Sequence, residues 1–336
     1  MATPNTFKQS NVYAAFSPTF NVQEALGTPL AREVLTARLP LPRDAKPLPT
    51  RRVTRDETRD CTGRFLVGRR LTSRLALWSI RLDASPALAA GLLALGFGAA
   101  AAPSGAGPYT SEITRLVSDQ LPATSFLIGA EDSDEPAELY KDMILNTLDI
   151  EAQVRGKVSL AASFVGSADV ETVADYDPPD CGTIVPVYAN DCQLLIGGTN
   201  YTDNLRSFRY SRNNNLLAGD DPFPFDAVDL VRLERGLDTS LFSFGIYGTK
   251  AHALYAQAEA EAALAVSLRI GPAGDAPSII AASAQLNLQD TPVGYAGEAN
   301  RSVINLDAAP LSVAGAAPDR VTAVIAQSGR FLTVPA

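Results

Sequence analysis

Between Asp142 and Phe164 the sequence alternates apolar and polar residues along two successive arms, and nothing else in the chain constrains the fold as much. On the first arm the even positions include Ile144, Leu148, Ile150 and Val154, and the odd positions Thr147, Asp149, Glu151 and Gln153. After Arg155-Gly156 the even positions are Val158, Leu160, Ala162 and Phe164, set against Lys157, Ser159, Ala161 and Ser163. A period of two belongs to a pleated strand, whose successive side chains point to opposite faces. The stretch predicts a β-hairpin with one apolar and one hydrophilic side. Ile144, Leu148, Ile150, Leu160 and Phe164 are expected to enter the core. A slip of one residue would expose the whole apolar set, so the register is strongly specified.

The rest of the chain agrees with a strand-rich protein. Gly and Pro number 24 and 23 among 336 residues, and Val, Thr, Ile and Phe recur in short runs. Strands are expected at Arg64 to Val67, Leu71 to Leu82, Asn204 to Arg212, Leu241 to Tyr247, Leu264 to Ile270, Ser278 to Leu288 and Arg320 to Gln327. Ser85 followed by Pro86 is an N-cap with proline at the first helical position, and the Ala/Gly-rich run after it predicts a helix packed closely on a sheet. A short helix is expected over Lys250 to Ala260. The apolar stretch from Pro86 to Pro103 is mostly Ala and Gly, too weakly hydrophobic for a membrane span. Met1 to Ser10 is polar and carries no signal-peptide pattern, so a soluble protein is expected.

Charge is segregated. From Arg32 to Arg81 there are 13 Lys/Arg against 5 Asp/Glu, a local +8, while the remainder carries 15 against 32, a local −17. An acidic body disfavours adhesion to duplex DNA, because phosphate neutralisation needs clustered cations. The basic stretch is therefore read as lying against an acidic neighbour, with nucleic acid as the second option. Residues 1–60, with four prolines in LPLPRDAKPLPTRR, are expected to form an extended N-terminal arm. Residues 61–336 are expected to form the β domain, with about 61–170 and 180–336 as candidate sub-halves.

Catalytic chemistry has no foothold. His252 is the single histidine, so any triad would run through it, and no nucleophile elbow is present. A structural or solvent-facing role is expected for it. The acidic clusters EDSDE (131–135), DYDPPD (175–180) and Asp220-Asp221 lack the alternating ligands of a calcium loop and read as charged loop tips. Gly96-Phe-Gly98 lies at a helix end, not between a strand and a helix, and is discounted as a dinucleotide motif. Cys181 and Cys192 bracket a candidate hairpin, GTIVPVYAND. They either pair in an oxidising setting or, with Cys61, stay as thiols in a reducing one. No cofactor and no metal is expected.

Residues 121–166, LPATSFLIGAEDSDEPAELYKDMILNTLDIEAQVRGKVSLAASFVG, resemble the core of phage tail tube proteins (major tail proteins). A Ser/Thr-plus-apolar strand is followed by an acidic loop and then by Tyr140, which opens a long strand. The chain turns at a Gly and returns on an alternating strand ending in Phe164-Val-Gly166. The stretches LRSFRYSRNNNLLAGDDPFPFDAVDL (205–230) and LFSFGIYG (241–248) are similar to later strands of that family.

The resemblance implies a mainly β fold, an antiparallel β-sandwich or half-barrel with a flanking α-helix, which closes into a ring-wide β-barrel on oligomerisation. It implies homohexameric rings that stack in the virion tail after assembly in the host cytoplasm, enclosing a channel for genome ejection. The expected partners are copies of the chain itself, the tape measure protein, the tail terminator and distal tail proteins, and passing viral DNA bound without sequence specificity, with no membrane. Within that frame Thr147, Asp149, Glu151, Gln153 and Ser159 are the candidates for the lumen wall, where Asp149 and Glu151 would form rings of negative charge. The alternative is that this polar face points outward. Arg51, Arg52, Arg55, Arg59, Arg155 and Lys157 are the candidates for contacts between subunits.

Three other readings compete. One is a different virion structural role, such as tail completion, distal tail or capsid decoration. The second is a carbohydrate-binding β-sandwich, which the acidic loops and aromatic residues suit and the charge segregation does not. The third, a hydrolase, has no positive feature.

Overall fold

The computed structural model describes residues 12–41, 49–59, 66–105, 107–116, 120–130, 136–174, 176–177, 179, 185–216, 236–296, 301–325 and 330–334. In chain order the described elements are β1 (Val12–Phe16), β2 (Ala37–Arg38), β3 (Thr50–Arg59), β4 (Leu66–Asp83), α1 (Pro86–Phe97), β5 (Gly98–Ala100), β6 (Tyr109–Arg115) and β7 (Thr124–Ala130). There follow β8 (Ala137–Gln153), β9 (Ser159–Ser167), β10 (Glu171–Val173), β11 (Gln193–Ile196), β12 (Thr199–Asn200), β13 (Leu205–Asn213) and β14 (Thr239–Tyr247). The last are α2 (Ala253–Glu259), β15 (Ala263–Arg269), β16 (Pro277–Ala296), β17 (Arg301–Pro310) and β18 (Arg320–Ile325). The fold is mainly β and antiparallel, and it does not close into a barrel within one subunit.

One antiparallel run orders as β3-β4-β9-β8-β13-β14-β17-β16. The first half of β16 leaves this run and pairs with β15 on one edge and β18 on the other. β18 continues to β6 and β5. The first part of β8 pairs with β7, and β7 with β1.

Helix α1 is packed into this framework as the sequence predicts. The Ser85 hydroxyl accepts a hydrogen bond from the Leu88 N–H at 3.3 Å, and Gly98 closes the helix in the left-handed region at φ 91°. The helix is apolar all round, so it has no face suited to water and is buried from Leu88 to Phe97. It touches β8 from one layer and β6, β16 and β18 from the other.

The main core joins Trp78, Leu148, Ile150, Leu160, Phe164, Phe242, Leu286 and Val321, so it crosses the boundary between the two expected sub-halves. Trp78, Phe126 and Phe164 form an aromatic group with ring centroids 4.8–5.7 Å apart.

Three expectations need correction. The first is the arm. Val12–Phe16 is a strand hydrogen-bonded between β7 and β2, and Tyr13, Ala14, Ala15, Phe16 and Phe20 are buried. Phe20 lies against Gly91 of α1 so closely that a Cβ there would fall 2.2 Å from its ring. Within residues 12–41, Tyr13, Ala14, Ala15, Phe16, Phe20, Leu30, Leu35 and Leu39 thus belong to the subunit's own hydrophobic clusters.

The second is Ile144, which is buried but does not share a face with Leu148. A bulge between Leu145 and Thr147 shifts the parity of β8. Ile144 packs instead with Leu75, Leu121, Val165 and Leu216 in a second cluster. The extra residue is held locally, since Asn146 O accepts from Asn214 N and Asn146 Oδ1 from Leu216 N.

The third is the hairpin expected around GTIVPVYAND. Its described residues hold a single turn of 3-10 helix, Ala189–Asp191. Cys192 is a buried free thiol, raised to about 11 by burial, and it donates to Tyr188 O. Cys61, Cys181 and most of the acidic clusters lie outside the described residues.

Candidate functional site

The side of the sheet turned away from α1 carries the polar residues of β8. Ladder register extends this face well beyond one hairpin. Glu151 stands opposite Ser159 on β9 and Arg209 on β13, Ser159 opposite Asp83, Arg209 opposite Ser243, Ser243 opposite Asp307, and Asp307 opposite Asn287. One row therefore reads Asp83, Ser159, Glu151, Arg209, Ser243, Asp307, Asn287 across seven strands. The next row reads Arg81, Ala161, Asp149, Ser211, Leu241. Thr147 pairs laterally with Ser163, and Gln153 stands opposite Ser207. The five residues expected on one wall share one face.

Arg81, Gln153, Ser207, Gly245, Gln289 and Asn305, drawn from six strands, line a trough of about 330 Å³ on this face.

Its charges are paired across strands. Arg81 Nη2 contacts Glu151 Oε1. Arg209 Nη2 lies 3.0 Å from Asp149 Oδ1, which also accepts from the Ser211 hydroxyl. Lys157 Nζ lies 2.6 Å from Asp83 Oδ2, and the hydrogen bond from Lys157 to that carboxylate holds its ammonium pKa above the ordinary value. Asp307 accepts from Gln289 Nε2 at 2.7 Å. The sequence led us to expect bare carboxylates at Asp149 and Glu151. The structure sets a guanidinium on each.

The residues expected between subunits are dispersed. Arg51 Nη2 lies 2.6 Å from Glu138 Oε1, which places it at the far end of β8. Glu138 also accepts from the Tyr140 hydroxyl, whose pKa burial pushes up to about 12. Arg52 is exposed on the same strand, while Arg55 and Arg59 are placed by their backbone in β3. Arg155 occupies the β8–β9 turn at φ 63° and makes no ion pair among the described residues. Among the described residues, the part of β4 before Leu75 pairs with β3 alone, so the two strands project past the run they belong to.

One site was missed from the sequence. Arg212 sits at the apolar parity of β13, after Phe208 and Tyr210, and is buried. Its Nε donates to Gly96 O at 2.8 Å, its Nη2 lies 2.7 Å from Asp238 Oδ2, and its guanidinium stands 4.1 Å over the Phe97 ring. Asp238 is also met by Arg115, and Asp319, 3.7 Å away, accepts from the buried Tyr210 hydroxyl. The network ties β13 to the C-terminus of α1 and so positions the wall. A cation at an apolar strand position was the available signal.

His252 has the structural role expected of it. Its Nδ1 accepts from Leu254 N at 3.2 Å as the N-cap of α2. Among the described residues no group of three or more His, Cys, Asp or Glu is placed to hold a metal, and no helix is long and apolar enough to cross a membrane.

Comparison with known proteins agrees with the resemblance read from residues 121–166. A family model described as phage tail tube protein matches residues 8–317. No curated protein matches the chain significantly.

Proposed function

The chain belongs to the phage tail tube protein family, a family of structural components of the virion tail, and from that premise we propose that it assembles into stacked hexameric rings whose lumen is the conduit for genome ejection. The observation that carries this reading is the polar face that spans seven strands and holds a trough. A water-filled channel accommodates Thr147, Asp149, Glu151, Gln153 and Ser159 in one patch, whereas a dry interface would leave their charges to desolvate.

The sheet edges support the same reading. Among the described residues β3 pairs only with β4, and the second half of β16 pairs only with β17. These two open edges sit at opposite ends of the run. They suit a heterologous contact that repeats around a ring, extending each subunit's sheet into the next. The projecting β3–β4 pair, with Arg51, Arg52, Arg55 and Arg59, would meet acidic surfaces of neighbours. Arg155 at the opposite end would do so at the ring-to-ring contact, whereas Lys157 is already neutralised by Asp83.

The partners on this reading are other copies of the chain, the tape measure protein that precedes DNA in the lumen, and the terminator and distal tail proteins that end the tube. Assembly takes place in the host cytoplasm. Electron microscopy of the purified protein tests the proposal, with long hollow tubes of six-fold symmetry expected. Monodisperse monomers under all assembly conditions would remove it. A map with Asp149 and Glu151 on the outer surface would remove the lumen assignment alone.

A further inference from the structure

Among the described ion pairs and hydrogen bonds of the polar face, three cations, Arg81, Lys157 and Arg209, stand with four carboxylates, Asp83, Asp149, Glu151 and Asp307, a net −1 for this paired set. The rest of the chain outside the basic stretch is far more acidic than this. The face therefore does not repel polyanions by excess negative charge. What it does have is arginines that are already engaged. Free guanidinium groups bind phosphate bidentately and strongly. Here each is held by a carboxylate that is itself fixed by a neighbour: Asp149 by the Ser211 hydroxyl, Glu151 by the Ser159 hydroxyl.

We infer that Asp149 and Glu151 act as guards of Arg81 and Arg209, keeping the polar face from binding the phosphodiester backbone of DNA. The claim rests on the reading that this face lines the channel, and it adds how the wall stays non-adhesive. The guanidinium groups are needed because unpaired carboxylates in closely spaced strands would repel one another, and the carboxylates are needed because unpaired guanidinium groups would grip the genome. Each pair is exposed and individually weak. The fixed second partners make the carboxylate the closer ligand when phosphate slides past.

The test is binding of a short labelled DNA duplex to full-length subunit carrying D149N and E151Q. These changes keep size and one accepting oxygen on each side chain and remove the charge. Wild type is expected to bind the duplex no better than the basic β3–β4 strands alone allow, and the variant at least tenfold more tightly at low salt. With two added phosphate contacts, the gain should shrink roughly tenfold between about 50 and 200 mM salt. Adding R81Q and R209Q should abolish the gain. A variant that binds like wild type overturns the inference, as does a gain that survives R81Q and R209Q. Microscopy of the wild type reads the tube separately: the binding gain in a protein that forms no tubes keeps the guarded face and removes the channel.

Discussion

Two of the long antiparallel hairpins among the described residues, β8–β9 and β3–β4, differ in how their residues are sorted. In β8–β9 apolar and polar residues alternate, so one face enters the core and the other is left to water. In β3 the charged residues occupy both parities, Arg51, Arg55, Glu57 and Arg59 on one and Arg52 and Asp56 on the other, so neither parity is apolar. The first hairpin is flanked by β4 and β13 along its length, while the second outruns its neighbours. Strand propensity is similar in the two. Parity decides that one becomes wall and the other projection.

The strongest way to break that contrast is to put a charge on the sorted side. Leu148 is fully buried, and its burial is worth about 1.5–3 kcal/mol before the cost of an unpaired carboxylate is added. L148D should leave no folded subunit, as read by circular dichroism and solubility. A soluble, assembling L148D would show that the apolar face is the exposed one.

A charge on the buried side is tolerated where partners surround it, and Arg212 sharpens the rule. Replacing it by Met should destabilise the subunit by about 3–5 kcal/mol, because Asp238 and Asp319 stay buried with part of their compensation gone. Thermal denaturation checks this, and an R212M subunit as stable as wild type would mean the network adds nothing to the core.

How much of this was legible follows from the same contrast. Alternation over residues 142–164 is a local signal for β8 and β9, as Ser85-Pro86 with the Ala/Gly run after it is for α1 and the short apolar runs are for most later strands. β1 could not, since Val12–Phe16 has no alternation and its buried residues, Tyr13 to Phe16, are covered by contacts such as that with β7, far away in sequence. The bulge at Asn146 was equally hidden, because its cause is the contact of Asn146 with Asn214 and Leu216. The polar face was read correctly as a face and incompletely in its charge. Arg81 and Glu151 are 70 residues apart, and only the ladder register brings them together.

On the unsorted hairpin the same size of change should spare the fold. Reversing Arg51, Arg52, Arg55 and Arg59 to Glu should spare the fold, with a cost of about 1 kcal/mol or less at the exposed Arg51 and Arg52. Assembly should be lost or moved to far higher protein concentration. Wild-type tubes should correspondingly weaken as salt is raised, because the contacts are electrostatic. Tube formation by the quadruple variant, followed by light scattering and microscopy, would remove the hairpin from the subunit contacts while leaving its shape unexplained.

The smallest effect is expected at Lys157, and it separates cations used within the subunit from cations available outside it. Lys157 lies at the start of β9 beside Arg155, where it could reach an adjacent ring, yet its ammonium already sits 2.6 Å from Asp83. Both side chains are about half exposed, so water competes with the pair and its loss costs the fold little. K157Q should leave the denaturation midpoint within error of wild type and the salt dependence of assembly unchanged. R155Q, which removes a cation with no ion pair among the described residues, should lower the salt concentration at which tubes dissociate. If K157Q weakened tubes as much as R155Q, Lys157 would have to leave Asp83 when rings stack, and the wall's ion pairs would be rearranged by assembly instead of being complete before it.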